Sequence, residues 1–171
     1  MLEVIRQRRS VRTFLKRDVE KERLNDVLKA AMFSPTARGL RPWDFIIVTD
    51  DKTKTQLSRA TPYASFAKDA PLVIVICYDA SKGKRFKEDC SICAENIYLE
   101  ATNQGLGTCF IQIADGTEAN EGNPEDFVKR LLAIPGNYRV QCLMPIGYPL
   151  KQPGPHKDEE FEEGKVHYGR F

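Results

Sequence analysis

One domain with an α+β or α/β layer fold is what this sequence predicts, on three observations. Segments with helical and with strand periodicity alternate along the chain. One run, Leu72–Tyr78, is apolar on both alternations, as a strand covered on both faces must be. And 171 residues with a 42% hydrophobic fraction are enough for one sizeable core, with no linker or internal repeat to divide it.

The elements follow in order. Asp18 is the expected N-cap of a helix whose apolar residues Leu24, Val27, Leu28, Ala31 and Met32 recur at helical spacing, and Ser34-Pro35 ends it. Phe45–Thr49 is short and β-branched, hence a strand, and Asp51–Ala60 is a polar amphipathic helix. Pro71 opens the buried strand Leu72–Tyr78. Lys84–Gln104 is a long helix with Cys90, Cys93, Ala94, Ile97 and Ala101 on one stripe; Gly105-Leu106-Gly107 stops it and leads into a strand over Thr108–Ile113. Pro124 starts a further helix as a first-turn residue, and Arg139–Ile146 returns as a strand closed by Gly147-Tyr148-Pro149. Residues 1–150 form the domain. Residues 151–171, with Pro153, Pro155, five acids and few aliphatics, form an extended arm expected to dock on another subunit.

Composition narrows the function classes. A net charge of +2 from 26 Lys+Arg against 24 Asp+Glu gives no reason to expect a nucleic acid partner. No apolar run approaches the ~20 residues of a membrane span. Met1–Ser10 lacks the apolar stretch of a secretory leader, and five cysteines suit reduced thiols in a cytoplasm. Charge is nevertheless uneven: residues 1–17 hold six cations (Arg6, Arg8, Arg9, Arg12, Lys16, Arg17) against the single anion Glu3. Such a knot is either a solvated basic face or a phosphate site, and composition does not choose between them. Cys90-Ser91-Ile92-Cys93 has the spacing of a thiol redox pair or half a zinc site, but both cysteines lie on the apolar stripe, which favours burial as small hydrophobes. No metal site is expected. His156 and His167, the only histidines, both fall in the arm, where a solvated surface role is the plainer expectation.

Two segments read together are more specific. Arg8-Arg9-Ser10-Val11-Arg12 and Ser34-Pro35-Thr36-Ala37-Arg38-Gly39-Leu40-Arg41-Pro42-Trp43, followed by Gly105-Leu106-Gly107 and Gly147-Tyr148-Pro149, resemble the nitroreductase family of FMN-dependent oxidoreductases from Val4 to Tyr148. The resemblance implies a three-layer α+β fold, a central mixed sheet flanked by helices. It further implies a homodimer with exchanged C-terminal arms and FMN in clefts at the subunit interface. Such enzymes take hydride from NADH or NADPH and reduce nitroaromatics, quinones, flavins or similar planar acceptors by a ping-pong mechanism. The flavin carries the hard chemistry, so no catalytic side-chain set is needed.

By resemblance, Arg8 and Ser10, with Arg9 beside them, bind the FMN phosphate, and Arg12 approaches the flavin N1/O2 edge. Pro35, Thr36 and Gly39 line the flavin from the partner subunit. Gly39 stands where an Asn is frequent and Arg41 where a Gln is frequent, so one hydrogen bond is lost and a charged contact is available instead. Trp43 follows a proline and is expected in the core. Gln112 and Ile113 match positions near flavin N5 and O4, where a backbone N–H donates to N5. Lys165 and Arg170 fall where a last cation reaches the phosphate, Arg170 being preferred for its bidentate fork. Alternative functions are a flavin-storing or sensing protein without turnover, and a dehalogenase or flavin-destroying branch of the same fold; the latter carries a substrate lid, for which the interval Thr61–Lys68 is short. The physiological acceptor and the choice between NADH and NADPH are not readable from these residues.

Overall fold

The computed structural model describes residues 1–116 and 122–171. Helices α1 (Leu2–Gln7) and α2 (Lys21–Met32) precede strand β1 (Trp43–Val48), helix α3 (Asp51–Leu57), a 3-10 turn over Pro62–Asp69 and strand β2 (Leu72–Asp79). The long helix α4 (Phe86–Asn103), the short strands β3 (Gly107–Thr108) and β4 (Ile111–Gln112), helix α5 (Pro124–Leu131) and strand β5 (Tyr138–Gly147) complete the domain. No helix among the described residues is long and apolar enough to cross a membrane.

The sheet runs β1-β2-β5-β3, with β4 also on β5, and every strand pair is antiparallel. That settles α+β over α/β. Among the described residues parallel pairing enters this sheet only at the isolated Ser10–Thr108 bridge. Strand alternation explains the layers. Leu72, Ile74, Ile76 and Tyr78 of β2 face one core with α2 and α4, while Val73 and Val75 face a second core with Leu57, Ala64, Ala67 and Val128. A strand covered on both faces has no polar alternation, hence its unbroken apolar run. Trp43 is buried in the first core, as expected. β5 carries one extra residue, Gln141, between the pairs Ile76–Cys142 and Cys77–Val140. The bulge turns the Gln141 carbonyl to accept both the Ile113 and the Ala114 N–H at 3.1 Å.

Three local expectations need correction. Helix α2 starts at Lys21 with Glu20 at its N-cap, not at Asp18. Glu20 is tied into a surface cluster: its carboxylate accepts from Arg17 (2.7 Å) and from Tyr148 Oη (2.5 Å), and the Arg17 guanidinium lies 3.9 Å from the Tyr148 ring centre. The strand over Thr108–Ile113 is broken at Cys109-Phe110, because the Phe110 N–H donates to Tyr98 Oη at 2.6 Å rather than to a strand. And α1 forms where the sequence shows only a basic segment. The stop of α4 is as expected: Gly105 has φ 73, and the Leu106 N–H reaches back to the Ala101 carbonyl at 2.8 Å.

All five cysteines are free and buried. Burial pushes the Cys93 thiol up to about 12 and the Cys90 thiol higher still, so neither supplies thiolate at neutral pH. An aromatic disulfide reagent is expected to label none of the five in the native protein within minutes at pH 8, and all five after unfolding. One rapidly labelled native thiol at Cys90 or Cys93 would restore the redox-pair reading.

Candidate cofactor site

Beyond α1 the chain runs extended and joins the sheet. The Val11 N–H donates to the Thr108 carbonyl (2.9 Å), the Leu15 N–H to Tyr148 (2.8 Å), and the Leu150 N–H to Thr13 (2.9 Å). This seating depends on Gly107, where a Cβ would stand 2.6 Å from Val11 Cγ2. With Val11 buried against β3, Arg8 and Ser10 share the other side of the extended segment.

Arg8 and Ser10 converge on Tyr98 of α4. The Arg8 guanidinium lies 5.2 Å from the Tyr98 ring centre, and Ser10 Oγ is 3.3 Å from Tyr98 Oη. On its open side Arg8 Nη2 is 3.2 Å from His156 Nε2, while His156 Nδ1 is 2.6 Å from Glu160. That pairing assigns the proton to Nδ1 and leaves Nε2 to accept from Arg8; the same bond holds the Glu160 carboxyl below its usual range. Arg9 donates to the Gly154 carbonyl (2.5 Å), the His156 N–H to the Arg6 carbonyl (2.8 Å), and Arg6 pairs with Asp158. A cleft of about 430 Å³ lies between Ser10–Thr13 and Lys151–Gly154.

Arg12 is exposed, 5.9 Å from the Phe66 ring centre. Four residues of extended chain set it about 13 Å from Arg8, so the two arginines serve different parts of any ligand. Beside Ser10, Thr108 is 1% exposed, and among the described residues its Oγ1 has no hydrogen-bond partner.

The residues implied by resemblance fall into two places. Gln112 is exposed, its side chain turned back to the Ala114 carbonyl at 2.9 Å. Ile113 is fully buried and its N–H is committed to Gln141, so it offers no donor to a ligand. Strand alternation then points the Gln112 N–H away from β5. The loop Pro35–Arg41 lies elsewhere. The Ala37 N–H donates to Asp89 Oδ1 (2.9 Å), the Arg41 N–H to Thr36 Oγ1 (3.2 Å), and Arg38, Gly39 and Arg41 all have positive φ. Pro35, Gly39 and Arg41 are exposed. Ser34, at the head of this loop, accepts from Asn96 Nδ2 at 2.7 Å, and Asn96, two residues from Tyr98, lies on nearly the opposite side of α4, so the loop and Arg8 meet different sides of that helix.

The first part of the arm folds back on its own chain. Residues 154–160 lie on the chain's own N-terminal segment. Lys165 pairs with Glu162 at 2.7 Å, and Arg170 is exposed; neither is brought to Arg8. His156, expected as a solvated surface residue, occupies that place instead. Tyr98 was legible in principle, since a hydroxyl on an apolar helix stripe needs a partner. His156 carries no local signal, because its contact closes over 148 residues.

Comparison with known proteins adds to this geometry. The family described as "Nitroreductase family" matches residues 5–62 and 56–148. A solved "FMN-dependent Nitroreductase" from Clostridium difficile R20291 superimposes with a TM-score of 0.96 at 36% identity, covering 100% of both chains. The "Putative NADH dehydrogenase/NAD(P)H nitroreductase" of Methanothermobacter thermautotrophicus is 34% identical over 100% of this chain and 87% of its own length. The "Iodotyrosine deiodinase" of Thermotoga neapolitana is 24% identical, over 87% of this chain and 88% of its own.

Proposed function

From the premise that this chain belongs to the nitroreductase family, we propose that it is an FMN-dependent oxidoreductase that takes electrons from NADH or NADPH and passes them to small planar acceptors such as nitroaromatics, quinones or flavins. FMN, when bound, supplies the ring that accepts hydride at N5 and hands electrons on. The residues of this chain do the rest. Arg8 and Ser10 hold the phosphate, with Arg9 adding positive field and His156 fixing the Arg8 fork. Arg12, about 13 Å further along the extended segment, would supply the cation for the N1/O2 edge, and the Gln112 N–H would be the donor for N5 that orients the ring.

The observation that carries this reading is the convergence of Arg8 and Ser10 on Tyr98, beside a buried threonine with no partner. A guanidinium and a hydroxyl brought together fit a phosphate-bearing ligand. The Pro35–Arg41 loop, on another side of α4 from Arg8 in the same chain, lines the cleft of a second copy, which makes the working form a homodimer. Exposed Phe161, Tyr168 and Phe171 of the arm supply apolar surface for that contact. Free cysteines suit a reducing cytoplasm. The dehalogenase alternative rests on a lid, whereas the chain has a compact 3-10 turn over Pro62–Asp69 with Ala64 and Ala67 fully buried.

The purified protein is expected to be yellow and dimeric with about one FMN per chain, and to bleach when NADH or NADPH is added without oxygen. A flavin-loaded protein that neither donor bleaches would favour storage or sensing. A monomer retaining tightly bound flavin would defeat the shared cleft.

A further inference from the structure

A cavity of about 550 Å³ lies between the loop at 37–40 and the turn at 82–86, where α4 begins. Its walls approach closely: a Cβ on Gly83 would stand 3.1 Å from Leu40 Cδ1. Four cations line it, Arg38, Lys82, Lys84 and Arg85, against one carboxylate, Asp89. Asp89 is 5% exposed and spends one oxygen on the Ala37 N–H. Lys82 and Arg85 have only loose partners, Asp79 at 3.9 Å and Glu88 at 3.4 Å. Among the described residues Arg38 and Lys84 have no carboxylate partner. Arg38 is moreover held at φ 58, a conformation costly for a residue with a Cβ. All four are exposed, and together they give the mouth of the cavity a positive field that attracts anions.

We propose that this cavity binds the phosphate-bearing adenosine end of the electron donor and that its cations recognise a 2′-phosphate, so that NADPH is preferred to NADH. The inference rests on the reading of the chain as an NAD(P)H oxidoreductase. The donor must bring its nicotinamide to the flavin, yet the chain has no G-x-G-x-x-G run to hold the remainder. The cavity adjoins the loop assigned to the flavin ring, and its volume suits a nucleotide-sized group. A phosphomonoester dianion is what guanidinium and ammonium groups together hold best; NADH lacks it.

The test uses the FMN-loaded protein. The wild type is expected to show a kcat/KM for NADPH at least tenfold above that for NADH. It is also expected to bind 2′,5′-ADP competitively with NADPH and at least tenfold tighter than 5′-AMP. Replacing Arg38 and Lys84 together by alanine is expected to lower the NADPH-to-NADH ratio about tenfold and to weaken 2′,5′-ADP by a similar factor. Equal use of both donors by the wild type, or a ratio untouched in the double variant, overturns the proposal. Loss of the dimer in that variant with no change in 2′,5′-ADP binding would also overturn it, in favour of the acidic arm of a second copy as occupant. A flavin-loaded protein that oxidises neither donor sinks the functional reading itself, which the donor ratio keeps separate from the cavity's role.

Discussion

Arg8→Ala is expected to weaken FMN binding roughly 10- to 100-fold while leaving the reduction potential of the bound flavin near its wild-type value. The phosphate keeps its charge through turnover, so a residue on the phosphate stabilises both redox states alike. Losing one charge-assisted contact costs about 1.5–3 kcal/mol, which is that factor in affinity. Arg8→Lys should fall between, because an ammonium keeps the charge but loses the fork that stacks on Tyr98. Arg12→Ala should fail in the other way. Its guanidinium stands at Phe66, away from the phosphate cluster, and the ring edge assigned to it gains negative charge only on reduction. A contact stronger in one redox state shifts the balance between states. About 30 mV corresponds to 1.4 kcal/mol for a two-electron couple, so a fall of several tens of millivolts is the expected scale. Potentiometry and FMN titration on both variants separate the roles. If Arg12→Ala sheds flavin with the potential of the bound fraction unmoved, Arg12 is a phosphate residue and the assignment is wrong.

Gly107→Ala is expected to lower stability by about 1–3 kcal/mol and to cost the protein most of its FMN, although position 107 touches no ligand in this scheme. The new methyl would meet Val11 at three atoms, 2.6 to 2.8 Å away. Val11 cannot turn aside, because it is β-branched and buried and its N–H is held by Thr108. The backbone has to move instead, and Ser10 and Arg8 move with it. Trimming the neighbour should relieve the clash, so Gly107→Ala/Val11→Ala is expected to be less damaging than the sum of its single changes. Gly105→Ala is the control: nothing lies within 4 Å of its would-be Cβ, and only the positive φ is strained. It should lose about 1 kcal/mol with FMN affinity unchanged. Melting temperatures and FMN titrations on the four proteins decide it; strictly additive losses would show that the close approach to Val11 does not seat the phosphate residues.

What the amino-acid order determines here is whatever depends on near neighbours. The unbroken run Leu72–Tyr78 announces a strand with a core on each face, and Val73 and Val75 do face away from Ile74 and Ile76. Cys90 and Cys93 fall on the apolar stripe of α4 and are buried, and Gly105 ends that helix in the left-handed conformation its position calls for. These are matters of period and local backbone preference, legible within a few residues. The spacing of Arg8, Ser10 and Arg12 belongs with them. Which residues meet those arginines does not. That every strand pair is antiparallel, that Tyr98 takes the Phe110 N–H and splits a six-residue strand, that Ile113 spends its N–H on the bulged Gln141, and that His156 rather than Lys165 or Arg170 stands against Arg8 are long-range outcomes. Each pairs groups 12 to 148 residues apart in the chain, and only the closed fold chooses among the partners equally compatible with the local pattern. Separation of the Arg8 and Pro35 segments on different sides of α4 is likewise a product of packing: Ser34 meets Asn96 and Ala37 meets Asp89, while Arg8 and Ser10 meet Tyr98, and the rigid helix keeps the two sides apart.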